Sequence, residues 1–185
     1  MINSRLSLTK FKTEKINFMQ KNIFVPQHIV HPFAPFFCED SYVLIVGSLP
    51  SVKSRENGFY YGHPQNRFWK MLALVFCEEL PQSTEEKKNF LRRNKIALYD
   101  SIKECTICGS SDSSIKNVVP SNIKSIVENS SVQKILANGK TAAKYFLKYQ
   151  DETLCSMLKA LPSTSPANAS FSLEKLAEIW RAEFQ

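Results

Sequence analysis

The sequence predicts an α/β protein of three layers, α/β/α, around a four-stranded and mainly parallel central sheet. Three observations predict it. Short apolar runs at 43–46 (VLIV), 96–99 (IALY), 134–137 (KILA) and 158–161 (LKAL) have the length of buried strands, and the first is rich in β-branched residues. Between them lie segments with apolar residues at helical spacing, and β-α repetition of this kind joins parallel strands through right-handed crossovers. A chain of 185 residues that is 43% hydrophobic, with no internal repeat, has enough material for one substantial core.

Each element has its own signature. The first 30 residues are polar and weakly periodic, which predicts a basic, mobile extension ahead of one domain spanning 31–185. The next segment, His31-Pro-Phe-Ala-Pro, is too proline-rich for regular structure and predicts an irregular arm carrying Phe33 and Phe36 over the core. After the strand at 43–46 comes a loop of about 20 residues, then a buried helix at 68–76 with Trp69, Leu72, Ala73 and Phe76 on one face. Ser83 and Glu86 have capping-box spacing and open a charged helix at 85–93. Residues 100–119 lack periodicity and are expected to form a second site loop. Pro120 can start a helix through Ile123, Ile126 and Val127, and Asn138-Gly139 turns into another at 141–149. Ser172 caps a final helix whose Leu173, Leu176, Ala177, Trp180 and Phe184 share a face.

Charge and cysteine usage bound the function. The net charge of +7 favours a polyanionic partner, although residues 1–22 alone supply +4 of it. No apolar run approaches the roughly 20 residues of a membrane span, and the basic amino end lacks the apolar stretch of a secretory signal. A cytoplasmic protein with no membrane association is expected. Five scattered cysteines predict thiols, and the lone CxxC at Cys105 and Cys108 has no second ligand pair for a metal. No cofactor is expected.

The long loop after Gly47 is the first candidate for a site, because ligands of open α/β sheets bind beyond the carboxyl ends of the strands. Asn66 carries an amide donor and an acceptor, so it can position water or read a purine edge; it can equally cap the helix that follows. His63 can titrate near neutrality and polarise a leaving group, or simply satisfy loop carbonyls. Asp112, in the second loop, can act electrostatically or tie its own turn. Ser51, Lys53 and Ser54 can hold phosphates, or belong to a solvated loop.

Three phrases then carry a resemblance: GSLPSVKS at 47–54, FYYGHPQNRFW at 59–69 and LPSTSPANA at 161–169. From residue 31 onward the chain resembles the uracil-DNA glycosylase superfamily, nearest its hypoxanthine-DNA (DNA-deoxyinosine) branch. The closing SLEKLAEIWR at 172–181 is also similar to the last helix of the mismatch-specific uracil glycosylases. Such enzymes flip a base out of duplex DNA, hold it in a pocket and hydrolyse its glycosidic bond. The resemblance implies a monofunctional enzyme, expected to act as a monomer on double-stranded DNA containing a deaminated base and to leave an abasic site. It assigns catalysis to Asn66, with His63 and Asp112 as further candidates. It assigns base binding to Gly47, Ser48, Leu49, Tyr60, Tyr61 and Ser163, with Tyr61 at the position where mismatch-specific relatives stack an aromatic on the base. DNA contact falls to Ser51, Lys53, Ser54 and a small insertion wedge of Ser165, Pro166, Ala167 and Asn168.

Two departures qualify that assignment. Uracil glycosylases commonly place Asp or Asn two residues after the first-motif glycine to activate water, but Leu49 stands there, as in the deoxyinosine branch. Only Cys38 precedes the first motif, so the early cysteine pair of iron–sulfur relatives is missing and no cluster is expected. The alternatives are a mismatch-specific uracil or thymine glycosylase and a non-catalytic DNA-binding module. A nucleotide-binding domain lacks support, since neither GxGxxG nor GxxxxGK[ST] follows a strand.

Overall fold

A computed structural model describes residues 25–109 and 112–184. The central sheet has the order β3-β2-β6-β7, built from Ile96–Asp100, Val43–Gly47, Lys134–Asn138 and Leu158–Leu161, with every pairing parallel. All five residues of β2 are buried. Since successive strand residues point to opposite faces, both faces of the sheet are covered at β2. The α/β class and the four predicted strands stand as expected, each to within one residue.

The first three described helices are α1 (Val52–Asn57), α2 (Phe68–Phe76) and α3 (Thr84–Arg93); α4 (Ile123–Glu128), α5 (Lys140–Tyr149), α6 (Glu152–Ser156) and α7 (Leu173–Arg181) follow. Helix α3 opens with the full reciprocal capping box of Ser83 and Glu86, and the Ser172 side chain accepts from the Lys175 amide to cap α7. Helices α2 and α7 pack together, and the guanidinium of Arg181 donates to the Leu74 and Val75 carbonyls near the end of α2. Trp180, Phe68, Phe90 and Phe146 are the largest of the fully buried side chains.

Four expectations change. Gln27–Val30, placed by the sequence in the extension, form β1 and pair antiparallel with β4 (Ile102–Ile107); residues 1–24 lie outside the described residues. Much of the expected second loop is strand, because β4 pairs antiparallel with β5 (Lys116–Pro120) to make a second sheet, β1-β4-β5. Pro120 therefore ends a strand, and α4 starts at Ile123 with Asn122 as its cap. The long loop after β2 also contains α1, capped by Ser51. The arm behaves as predicted: Phe36 bridges to Leu98 of β3, and Phe33 and Phe36 pack on the core.

Candidate active site

A cavity of about 300 Å³ opens at the carboxyl ends of the central strands. Gly47, Asp100 and Asn138, the last residues of β2, β3 and β6, all line it. So do Ser48, Leu49, Tyr60, Tyr61, Asn66, Asp112 and Ser163, which brings the three sequence motifs and the second-loop aspartate to one place. Parallel strands point their carboxyl ends in one direction, so loops that are distant in sequence meet there.

Tyr61 forms one wall. Its backbone is left-handed, with φ of 53°, an uncommon conformation for a tyrosine that the flanking loop holds in place. The Asn57 side chain donates to the Gly62 carbonyl at 2.9 Å, and the Gly62 amide donates to Ser54 Oγ at 3.0 Å. The Tyr61 ring stacks on Phe68 with centroids 3.7 Å apart and planes 18° from parallel. Its hydroxyl is buried beside the Asn138 side chain, without a well-formed hydrogen bond among the described residues. Burial, then the nearby Asp100 carboxylate, push the phenol well above its ordinary range, so it remains a protonated donor.

Asn66 is oriented by a relay of hydrogen bonds. Its Oδ1 accepts from the Phe68 amide at 3.0 Å and from the Thr164 hydroxyl at 2.9 Å. A backbone N–H can only donate, so Oδ1 is the atom turned to α2, and Nδ2, a donor on a cavity-lining residue, has no hydrogen-bond partner among the described residues. Thr164 is fixed in turn: its amide donates to Asn138 Oδ1, and Asn138 Nδ2 donates to Thr164 Oγ1, both at 2.9 Å. The threonine hydroxyl hydrogen is left for Asn66. Helix capping and a poised amide are thus the same contact, because the bond that caps α2 also aims the amide.

The neighbouring Arg67 holds the third motif. Its guanidinium donates to the carbonyls of Ser165 at 2.9 Å and Asn168 at 2.8 Å, and to that of Phe171, while its own amide donates to the Thr164 carbonyl. Five donors in a planar fork suit this many carbonyls. Pro166 and Ala167 are left exposed at the tip of the loop. Asn168 braces the loop from inside, its amide donating to the Ser163 carbonyl at 2.8 Å. Ser163 packs against Gly139, where φ of 99° and a Ser163 Cβ only 2.7 Å from the place of a glycine Cβ both exclude a larger residue.

Other expected residues fall less centrally. His63 does not line the cavity; its Nδ1 accepts from the Gln65 amide at 3.2 Å and its carbonyl accepts from the Asn66 amide, so it shapes the turn. Ser54 lines the cavity but is 3% exposed, and its hydroxyl serves Gly62 and Ser51, so it braces the loop. Ser51 caps α1, and Lys53 pairs with Glu56 at 2.7 Å on the surface. The Tyr60 hydroxyl donates to the Ala34 carbonyl at 2.9 Å. Leu49 packs against the small core under β4. Asp112, in a 3-10 turn at Asp112–Ser114, is exposed on the opposite rim.

The sequence reading missed Asn138, Thr164, Lys140 and the pair His31–Asp100. Lys140 lines the cavity at the start of α5. His31 is 3% exposed and its Nε2 lies 2.9 Å from Asp100 Oδ2, while Nδ1 lies 2.8 Å from the Phe33 carbonyl. One signal was available: an aspartate closing the buried run IALYD is a charge where a parallel strand meets its ligand.

A family model for the uracil DNA glycosylase superfamily matches residues 34–183. Among curated relatives, a hypoxanthine DNA glycosylase of Methanosarcina acetivorans is 35% identical over 152 residues, covering 80% of this chain and 92% of the relative. One from Methanosarcina barkeri is 32% identical over 160 residues, covering 83% and 96%. A G/U mismatch-specific uracil DNA glycosylase of Schizosaccharomyces pombe matches over 74 residues only, at 34% identity, 38% of this chain and 23% of that one. The solution NMR structure of a protein from M. acetivorans, provisionally described as a uracil DNA glycosylase, superposes with a TM-score of 0.71 at 32% identity over 82% of this chain and 94% of that one. With three motifs meeting in one cavity and a family match across nearly all of the described residues, the chain belongs to the uracil DNA glycosylase superfamily.

Proposed function

We propose that this protein is a monofunctional DNA repair glycosylase that extrudes a deaminated base, hypoxanthine foremost, and hydrolyses its N-glycosidic bond. The observation that carries the reading is the Asn66 amide, locked by Phe68 and Thr164 with its donor left over in a cavity sized for a small ligand. The exposed Pro166–Ala167 tip supplies the wedge that fills the gap in the duplex, and Arg67 keeps it rigid. The flipped base then enters between the Tyr61 wall and the strand ends. As the bond from the base nitrogen to C1′ breaks, electrons pass to the base, which gains a proton, and water adds to C1′. A preorganised amide such as Asn66 Nδ2 holds that water or the leaving base without reorganisation during the reaction.

Leu49 cannot orient water, and it serves instead as an apolar wall against Ile107. That favours hypoxanthine over the uracil or thymine mismatch alternative. The enzyme is proposed to act as a cytoplasmic monomer on duplex DNA with no metal or organic cofactor; among the described residues no helix is long and apolar enough to cross a membrane.

Duplexes carrying one hypoxanthine, uracil or xanthine, incubated with the protein and then treated with alkali, test the reading. Free hypoxanthine and breaks that need alkali are expected. Duplex binding without release of any base would instead identify a non-catalytic DNA-binding module.

A further inference from the structure

Helix α1 turns one face to the cavity. Ser51, Val52, Ser54 and Arg55 line it, while Lys53 and Glu56 lie outside it and pair with each other at 2.7 Å. That division follows from helical geometry, which puts residues three and four apart on one face. The family resemblance assigned DNA contact here to Ser51, Lys53 and Ser54, but the charge of Lys53 is answered by Glu56. The cation left on the cavity side is Arg55.

Arg55 differs from the other arginines of the described residues. Arg67 and Arg181 each donate to more than one carbonyl, Arg92 bonds Glu85 and Asn89, and Arg93 pairs with Glu78. Arg55 has a single hydrogen bond, from Nη1 to the Pro50 carbonyl at 3.0 Å, and no carboxylate at ion-pair distance among the described residues. It is nevertheless half-buried, on the wall that also carries Leu49 and Ile107. Its charge reaches the Cys105 thiol of β4: burial pushes that thiol up, and Arg55 draws it part of the way back. The bond to Pro50 uses Nη1, so the edge formed by Nε and Nη2 keeps its hydrogens for another acceptor. Two parallel N–H groups on one edge match two oxygens of a phosphate, and a charged fork of this kind binds phosphate more strongly than a neutral donor does.

We propose that Arg55 is a positioning residue that clamps a phosphate next to the extruded nucleotide through its Nε–Nη2 edge. This deepens the glycosylase reading and rests on it. A base that enters first, toward the strand ends, leaves its sugar and phosphates beside the walls, where α1 stands. Holding one phosphate there fixes the sugar carbon of the breaking bond relative to Asn66. Misplacement of reacting atoms by a fraction of their contact distance slows the reaction, so the loss of Arg55 falls on the rate of the bound complex. Duplex affinity is shared among many phosphate contacts and changes less.

The test is a cycle between protein and DNA. Deoxyinosine duplexes are made with the phosphate 5′ or 3′ to the lesion replaced by an uncharged methylphosphonate. Single-turnover release of hypoxanthine is then measured at saturating protein for the parent and for Arg55→Gln. In the parent one of the two replacements should cost about 10- to 100-fold, and Arg55→Gln should cost about as much on the natural duplex. The two losses should not multiply: to within about three-fold the variant should be indifferent to that phosphate, as partners in one contact are, whereas a purely structural role leaves the two effects independent. Losses that multiply, or a variant that matches the parent on the natural duplex, overturn the proposal. So does a parent indifferent to both replacements, a comparison that stands even if the variant does not fold. A parent that releases no hypoxanthine from the unmodified duplex overturns the glycosylase reading, and this assignment with it.

Discussion

The two sides of the cavity are built differently. On one, the loops at 47–69 and 161–169 are cross-linked by the Asn138–Thr164–Asn66–Phe68 relay and by the Arg67 fork. On the other, Gly109 and Asp112 extend from the antiparallel sheet; the turn there is braced by Ser114 Oγ, which accepts from the Cys108 amide at 2.9 Å, and Asp112 is exposed. A transition state is stabilised by groups that need not move, so the proposed chemistry is assigned to the side that carries Asn66.

Substitutions can break that contrast. Asn66→Ala should lower single-turnover excision of hypoxanthine by about 10²-fold or more while duplex binding changes little. A loss of only a few-fold in a folded variant would reduce Asn66 to a helix cap. Arg67→Ala frees the 165–171 carbonyls; excision from duplex should fall between about 10- and 100-fold, and thermal melting should show a lower Tm. Thr164→Val keeps the shape but removes the donor that aims Asn66, and it also leaves Asn138 Nδ2 unpaired, for an expected loss of about 10-fold in kcat. Asp112→Ala, on the less braced rim, should stay within about three-fold; a loss matching that of Asn66→Ala would erase the contrast. The smallest effect is expected from exhaustive chelation, which should leave hypoxanthine release unchanged, and no strand breaks should form before alkali. Leu49→Asn sharpens the same comparison: a gain in uracil release would show that the first motif lacks only a polar side chain.

What the sequence made legible follows from how local each signal is. The runs VLIV, IALY and KILA lie in the observed strands because buried parallel strands are near-continuously apolar, and LKAL forms the edge strand β7, where Lys159 and Ala160 are exposed. Strand β4 was hidden since its burial does not alternate and its pairing with β5 shifts register twice, which erases the period-two pattern. Strand β1 is mostly exposed and only four residues long, too short to show a pattern. At the site, Tyr61 and Asn66 were legible through the motifs that surround them. Thr164 and Asn138 are 26 positions apart, and His31 and Asp100 are 69 apart, so their roles exist only once the chain is folded.

Helix α7 gives the molecule a further property. Arg181 ties it to the end of α2, and the indole of the fully buried Trp180 donates to the Pro162 carbonyl at the base of the wedge loop. Helix α7 thus braces both the helix that follows Asn66 and the loop at 161–169. Local opening of α7 would therefore loosen both elements together.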